Sequence, residues 1–243
     1  MITRASKKER KYTKMVKSVY CSIQKWHNLG MKLYHGSKLI IDNPLPFASS
    51  KDNDYGPAFY LTADLNSAFE WASRNNSIGY VNEYELDTKN LKILDLTDKN
   101  QYSVLNWLAL LMHFRFLDQS FTKAFKARLE YIEKYFYIDI RQFDLVIGYR
   151  ADDAYFRFPL DFVRGNLTLE QLEHSFQLGN LGIQYVLISD KAFSQLKYVK
   201  SFLSREEHIG KYFDNVRNAT QSFDLLSKDE EGTRIIDLMR ELK

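Results

Sequence analysis

A histidine, a glycine and a hydroxyl stand side by side in Leu33-Tyr34-His35-Gly36-Ser37, and an aromatic pair follows in Gly56-Pro57-Ala58-Phe59-Tyr60-Leu61-Thr62. His35 can hydrogen-bond a ligand hydroxyl, although a lone histidine serves equally as a packing or solvent-exposed group. Gly36 has no side chain in the way, so its main-chain amide and carbonyl can pair with a carboxamide. Ser37 can add a further polar contact. On a strand, Tyr60 faces the side opposite to Phe59. One ring can then enter the core while the other lines a cleft and stacks on a planar ligand ring. The alternative is that both rings are core.

Acidic candidates come later in the chain. Asp152 and Asp153 follow the strand-like Phe143 to Gly148 on a loop that can return to a cleft. Neighbouring side chains diverge on an extended segment, so one of the two is expected to reach a ligand. Adjacent aspartates can also bind a cation, cap a helix or simply be solvated. None of the five histidines has a His-x-x-x-His partner, so no metal site is expected. The sequence carries neither a phosphate-binding glycine loop nor a nucleophile elbow, and His35 with Ser37 is too close in sequence to form a hydrolase pair.

These groups need a scaffold, and the pattern around them is mixed. Short strands are predicted at Lys32–Tyr34, Ala58–Leu61, Val81–Leu86 (alternating, so half-buried), Leu91–Leu96, Phe143–Gly148 and Gln184–Ser189. Leu91–Leu96 is expected to follow its predecessor in a hairpin-like arrangement, and Gly148 to stop its strand. Asp64 should cap a helix through Ala68, Trp71 and Ala72, where Trp71 and Ala72 pack against the sheet. Two helices are expected between Ser103 and Phe136, with a break near Asp118-Gln119-Ser120. Thr168-x-x-Gln171 has capping-box spacing and should open a helix reaching about Leu178. Asp190 can cap a short helix. Strands scattered among helices argue for an α+β fold, not a regular βαβ alternation.

The 243 residues are 45% hydrophobic and 15% aromatic, enough for a real core. Net charge is +3, but residues 1–32 hold nine Lys/Arg against Glu9 alone, so a basic arm precedes an acidic body. Val16, Val19, Tyr20, Ile23 and Trp26 give that arm an amphipathic helical pattern ending near Gly30. Such an arm suits an anionic partner or the chain's own acidic surface. Cys21 is the single cysteine, which excludes an internal disulfide and fits a cytoplasmic location. No signal peptide and no apolar run long enough to span a bilayer is evident, so no membrane partner is expected.

Leu33 to Ser37, Phe59-Tyr60-Leu61-Thr62, Ala68 with Trp71-Ala72, Asp144 to Gly148, Ala151-Asp152-Asp153 and Leu181-Gly182-Ile183-Gln184 together resemble the DUF3990 family over residues 31 to 198. That family is grouped by similarity with the ADP-ribosyltransferase fold. The resemblance implies an α+β domain with a split mixed/antiparallel β core and surrounding helices. It places the domain at 31–199, between a basic helical extension (1–30) and a charged helical tail (200–243).

By the same resemblance NAD is the substrate, held by His35, Gly36, Ser37 and Tyr60, with Tyr60 stacked on nicotinamide. The transferase pattern puts an acid where this chain has Gln184. Glutamine keeps a hydrogen bond but supplies no negative charge to a loosening glycosidic bond. Gln184 with Asp152 or Asp153 is therefore the implied catalytic set. The implied function is ADP-ribosylation of a macromolecule, protein or nucleic acid, by a toxin-type or phage-defence protein with an antitoxin partner. The alternatives are a catalytically weak NAD- or nucleotide-binding module, and a nucleic-acid-binding protein that uses the basic first helix.

Overall fold

The computed structural model describes residues 30–46, 48–115, 122–151, 157–176, 182–226 and 231–241. The basic arm up to residue 29, the break at 118–120 and the pair Asp152 and Asp153 lie outside the described residues. Among the described residues the fold is α+β, with two sheets and eight α-helices.

The first sheet is antiparallel and holds β1 (Met31–Ser37), β3 (Tyr80–Leu86) and β7 (Leu196–Leu203), with β3 in the middle. The half-buried reading of β3 understates its position. Val81 packs with Ala68 and Ala72 of helix α1 (Leu65–Ala72) on one face, while Tyr84 and Leu86 pack with Leu33 and Phe59 on the other. With both faces covered, even Asn82 and Glu83 are buried. Asn82 meets its hydrogen-bonding needs there: its amide donates to the His35 and Leu39 carbonyls, and its oxygen accepts from Ile41 N and Ser201 Oγ. Asp64 caps α1 as its position predicts, accepting from the amide of Asn66.

The second sheet runs β2 (Phe59–Leu61), β6 (Ile183–Leu187), β5 (Leu145–Tyr149), β4 (Ile93–Asp95), all antiparallel except β4 and β5. The expected hairpin between β3 and the Leu91–Leu96 segment is thus wrong: β4 leaves for the other sheet and pairs parallel to β5. Gly148 does not stop β5 but sits inside it. A Cβ there would lie 2.0 Å from the Tyr55 hydroxyl, which donates to the Tyr149 carbonyl, so the glycine makes room for a buried phenol.

Helices α2 (Val104–Arg115), α3 (Lys123–Phe136), α4 (Arg157–Arg164) and α5 (Leu169–Ser175) contribute to the large core on the second sheet, through residues such as Trp107, Leu110, Phe125, Phe162 and Leu172. The capping box of α5 is present, with Thr168 accepting from the Gln171 amide. That helix ends at Ser175, short of Leu178. Ser189, not Asp190, caps α6 (Asp190–Ser194); its hydroxyl is also anchored on Asp144.

The tail expected from residue 200 starts within β7, so that boundary cuts a strand of the core sheet. Ala219 and Phe223 of α7 (Lys211–Leu226) and Ile235 of α8 (Ile235–Glu241) are buried in the same core as the second sheet. Among the described residues no helix is long and apolar enough to cross a membrane.

Candidate functional site

Beyond the apolar side chains that pack between them, the two sheets are joined main chain to main chain at one isolated bridge among the described residues. Tyr34 exchanges both main-chain hydrogen bonds with Thr62, at 2.8 and 2.9 Å, in an isolated antiparallel bridge. If the ladder continued, the next hydrogen-bonded pair would be Gly36 and Tyr60. Instead the His35 imidazole donates through Nδ1 to the Tyr60 carbonyl at 2.7 Å, and the strands part. A carbonyl can only accept, so this contact fixes the proton on Nδ1 and leaves Nε2 as an acceptor. Burial pushes the imidazole below its ordinary range, against the hydrogen bond to Tyr60, which favours the neutral ring.

Backbone direction alternates along a strand. The amide and carbonyl of Tyr34 point at Thr62, away from β3, so those of Gly36, two residues on, point to the same outer edge. That edge borders a cavity of about 280 Å³, lined by His35, Gly36, Tyr60 and Gln184 from β1, β2 and β6, by Trp71 and Arg74 from α1 and its C-terminal end, and by Asp54, Arg115 and Arg150.

Four of the sequence candidates, His35, Gly36, Tyr60 and Gln184, therefore share one cavity. Phe59 goes to the core and Tyr60 to the cavity, as strand alternation requires. The Tyr60 hydroxyl is spent inside the protein: it donates to the Gly56 carbonyl and accepts from the Tyr55 amide. Burial raises its phenol, so the ring stays neutral. Gln184 brings an oxygen, Oε1, that is buried and finds no hydrogen-bond partner among the described residues.

Ser37 is not in the lining. Its hydroxyl donates to the Leu39 carbonyl and accepts from the Leu39 amide, closing a local turn. The space at Gly36 is filled from within as well: a Cβ there would lie 2.2 Å from the Ala68 carbonyl oxygen. Helix α1, not only an approaching ligand, demands that glycine.

Several cavity residues carry no clear sequence signal. Trp71, expected only to pack its helix on the sheet, lines the cavity, with the guanidinium carbons of Arg74 and Arg150 at 4.1 and 4.0 Å from its ring centre. Asp54 is buried, accepting from Arg115 at 2.9 Å and from the Ala151 amide at 2.8 Å. Desolvation nevertheless raises its carboxyl to about 6, against the pull of the Ala151 amide and Arg115. The turn Asn53-Asp54-Tyr55-Gly56 was the available hint, since its glycine takes φ +73°. Nothing local announces a partner 61 residues away in Arg115.

No curated protein and no solved structure matches the chain. Residues 31–198 match the model of a family described as "Protein of unknown function (DUF3990)". That span is more than half of the 243 residues and includes every cavity-lining residue, so the chain belongs to the DUF3990 family.

Proposed function

We propose that this protein is an NAD-dependent ADP-ribosyltransferase acting on a macromolecule. The observation that carries the reading is the outward-facing amide and carbonyl of Gly36 at the parting of β1 and β2, between His35 and Tyr60. One donor and one acceptor side by side match the carboxamide of nicotinamide, which has the complementary pair. Tyr60 offers a ring to stack on, and Nε2 of His35 accepts from a ribose hydroxyl. The unpartnered Oε1 of Gln184 calls for a donor, which a second ribose hydroxyl supplies. A cavity of about 280 Å³ suits part of a dinucleotide, not its whole length.

In the reaction the bond between C1′ of the ribose and the nicotinamide nitrogen breaks, and its electron pair leaves with nicotinamide. A lone pair on the acceptor forms the new bond to C1′ and the acceptor gives up its proton. Gln184 helps to orient the ribose but adds no negative charge as C1′ turns cationic. The Asp54 carboxylate is the one acid in the lining among the described residues.

Purified protein incubated with labelled NAD and cell extract is expected to release nicotinamide and transfer label; neither event occurring would overturn the reading. His35→Ala should abolish that activity while lowering stability by only about 1 kcal/mol, the worth of one hydrogen bond. Gln184→Glu is expected to raise nicotinamide release about tenfold, because electrostatic stabilisation of the developing charge is a large catalytic contribution. Gln184 also supports a second reading, a binding module with little turnover. Saturable NAD binding without nicotinamide release, relieved by Gln184→Glu, would select it.

A further inference from the structure

We propose that residues 205–215 brace helix α1 and that the brace is released when His208 takes up a proton, so that the cavity wall at Trp71 loosens in acid. The consequence for a ligand rests on the reading of the cavity as the NAD site; the brace itself does not. Three consecutive residues of α1 meet this segment. The Phe69 ring stacks on the His208 imidazole, with centres 4.3 Å apart and planes 4° from parallel. Glu70 accepts from Asn215 Nδ2 at 2.9 Å, and the Trp71 indole meets the Tyr212 ring edge to face at 6.1 Å. All three partners lie beyond residue 198, where the family match ends. A helix of eight residues has little stability of its own and depends on what packs against it. The close approach at Gly36 and Gly79 holds α1 on the sheet, and residues 205–215 hold it elsewhere. Trp71 lines the cavity from that same helix.

His208 makes this grip depend on charge. Its Nδ1 accepts from the Arg205 amide at 3.0 Å, closing the turn Glu206–His208. A main-chain N–H can only donate, so Nδ1 carries no proton and the ring is neutral. A proton added at Nδ1 sets donor against donor and opens the turn. The His208 side chain is only 11% exposed, so water is poorly placed to replace the lost bond. Burial is the largest influence on the imidazole and holds it below its ordinary range; Lys211 of α7 and Arg205 push the same way. Glu207, with a carboxylate oxygen 3.8 Å from Nε2, opposes them. From α1 the ring faces uncharged Phe69, and Glu70 is the one charged residue of that helix. From β7, Phe202 packs on Phe69 and carries Lys200 over its ring. With the folded value lowered, the contribution of the brace is complete above about pH 6.5 and is lost as pH falls through that folded value. Asp54, whose carboxyl is raised, acts in the opposite sense and gains stability on acidification.

The test measures hydrogen exchange of the full chain at about pH 7.5 and about pH 5.5, corrected for intrinsic rates, in the parent, His208→Ala and His208→Asn. Asparagine keeps a neutral acceptor where Nδ1 stands and cannot take the proton. Protection of α1 in the parent is expected to fall about tenfold on acidification, the worth of one hydrogen bond and one ring contact, while that of β5 stays constant. His208→Ala should show the lower protection at both pH values and His208→Asn the higher. Calorimetric titration with NAD should then show affinity about tenfold weaker at the lower pH in the parent and within about twofold in His208→Asn. If His208→Ala does not fold, the parent and His208→Asn decide. Protection of α1 unchanged by pH in the parent, or a His208→Asn chain as acid-sensitive as the parent, overturns the brace. Acid-sensitive α1 without NAD binding at either pH would leave the brace and remove the transferase, whereas NAD binding with α1 equally protected at both would do the opposite.

Discussion

Alanine at position 36 is expected to destabilise the protein by about 3 kcal/mol or more, at the upper end of what overpacking a core costs. The added Cβ would lie 2.2 Å from the Ala68 carbonyl oxygen, 2.7 Å from the Ala72 amide nitrogen and 3.1 Å from the Trp71 Cβ. Two of these three atoms are backbone, so no rotamer change can clear them; α1 itself must lift. Gly79, just before β3, meets the same helix, its added Cβ being 2.3 Å from the Ala72 carbonyl oxygen. Helix and sheet thus touch main chain to main chain, with the small side chains of Ala68 and Ala72 allowing the approach. Lifting α1 also carries Trp71 out of the cavity wall. Gly36→Ala should therefore lower both the urea midpoint and any ligand affinity. Gly30→Ala, with nothing within 4 Å of its added Cβ, is the control and should change stability by about 0.5 kcal/mol at most. A Gly36→Ala protein as stable as that control would refute the contact.

The same position illustrates what a sequence can and cannot declare. The edge to which Gly36 turns its amide and carbonyl follows from strand alternation, a local rule; its packing against α1 involves residues more than 30 positions away and leaves no periodic trace. Phe59 and Tyr60 divide between core and cavity, and Asp64 and Thr168 cap their helices, because each depends on neighbours within a few residues. β7 is hidden in the sequence because Lys197 and Lys200 interrupt its apolar pattern and the tail expected from residue 200 begins inside it, although the lysines suit an edge strand that has β3 on one side only. The parallel partner of β4 lies some 50 residues downstream, which defeats any hairpin rule. In the site, the strand residues were legible, whereas Trp71, Arg74, Arg150 and the Asp54–Arg115 pair depend on how α1, α2 and the end of β5 converge.

That buried pair supplies the second large effect. Arg115→Gln is expected to cost about 3 to 5 kcal/mol at neutral pH, the range for breaking a buried ion pair by removing one partner. Arg115 and Asp54 expose only 16% and 7% of their side chains, so solvent does little to screen the charge left behind. Arg115 also donates to the Ala151 carbonyl, and Asp54 accepts from the Ala151 amide, so both ends of one residue would loosen. The ion pair is nonetheless not a simple gain. The Asp54 carboxyl titrates at about 6 in the folded protein, above its ordinary range, because the desolvation it suffers exceeds what Arg115 and the Ala151 amide return.

A folded-state value above the unfolded one means that the native state binds the proton more tightly. This contribution is then complete below about pH 4, the unfolded carboxyl's range, and is lost as pH rises through about 6. Removing Arg115 raises the carboxyl further, which moves the end of that window upward. The deficit of Arg115→Gln against the parent should therefore be largest near pH 8 and shrink steadily below pH 6, where Asp54 is protonated and no charge is stranded. Urea unfolding across that range is the measurement, and a deficit that stays constant with pH would show that Arg115 contributes packing alone. The same titration bears on chemistry. If the Asp54 charge supports the cationic ribose that neutral Gln184 cannot, nicotinamide release should fall as pH drops through about 6, and Gln184→Glu should blunt that fall by providing a second carboxylate.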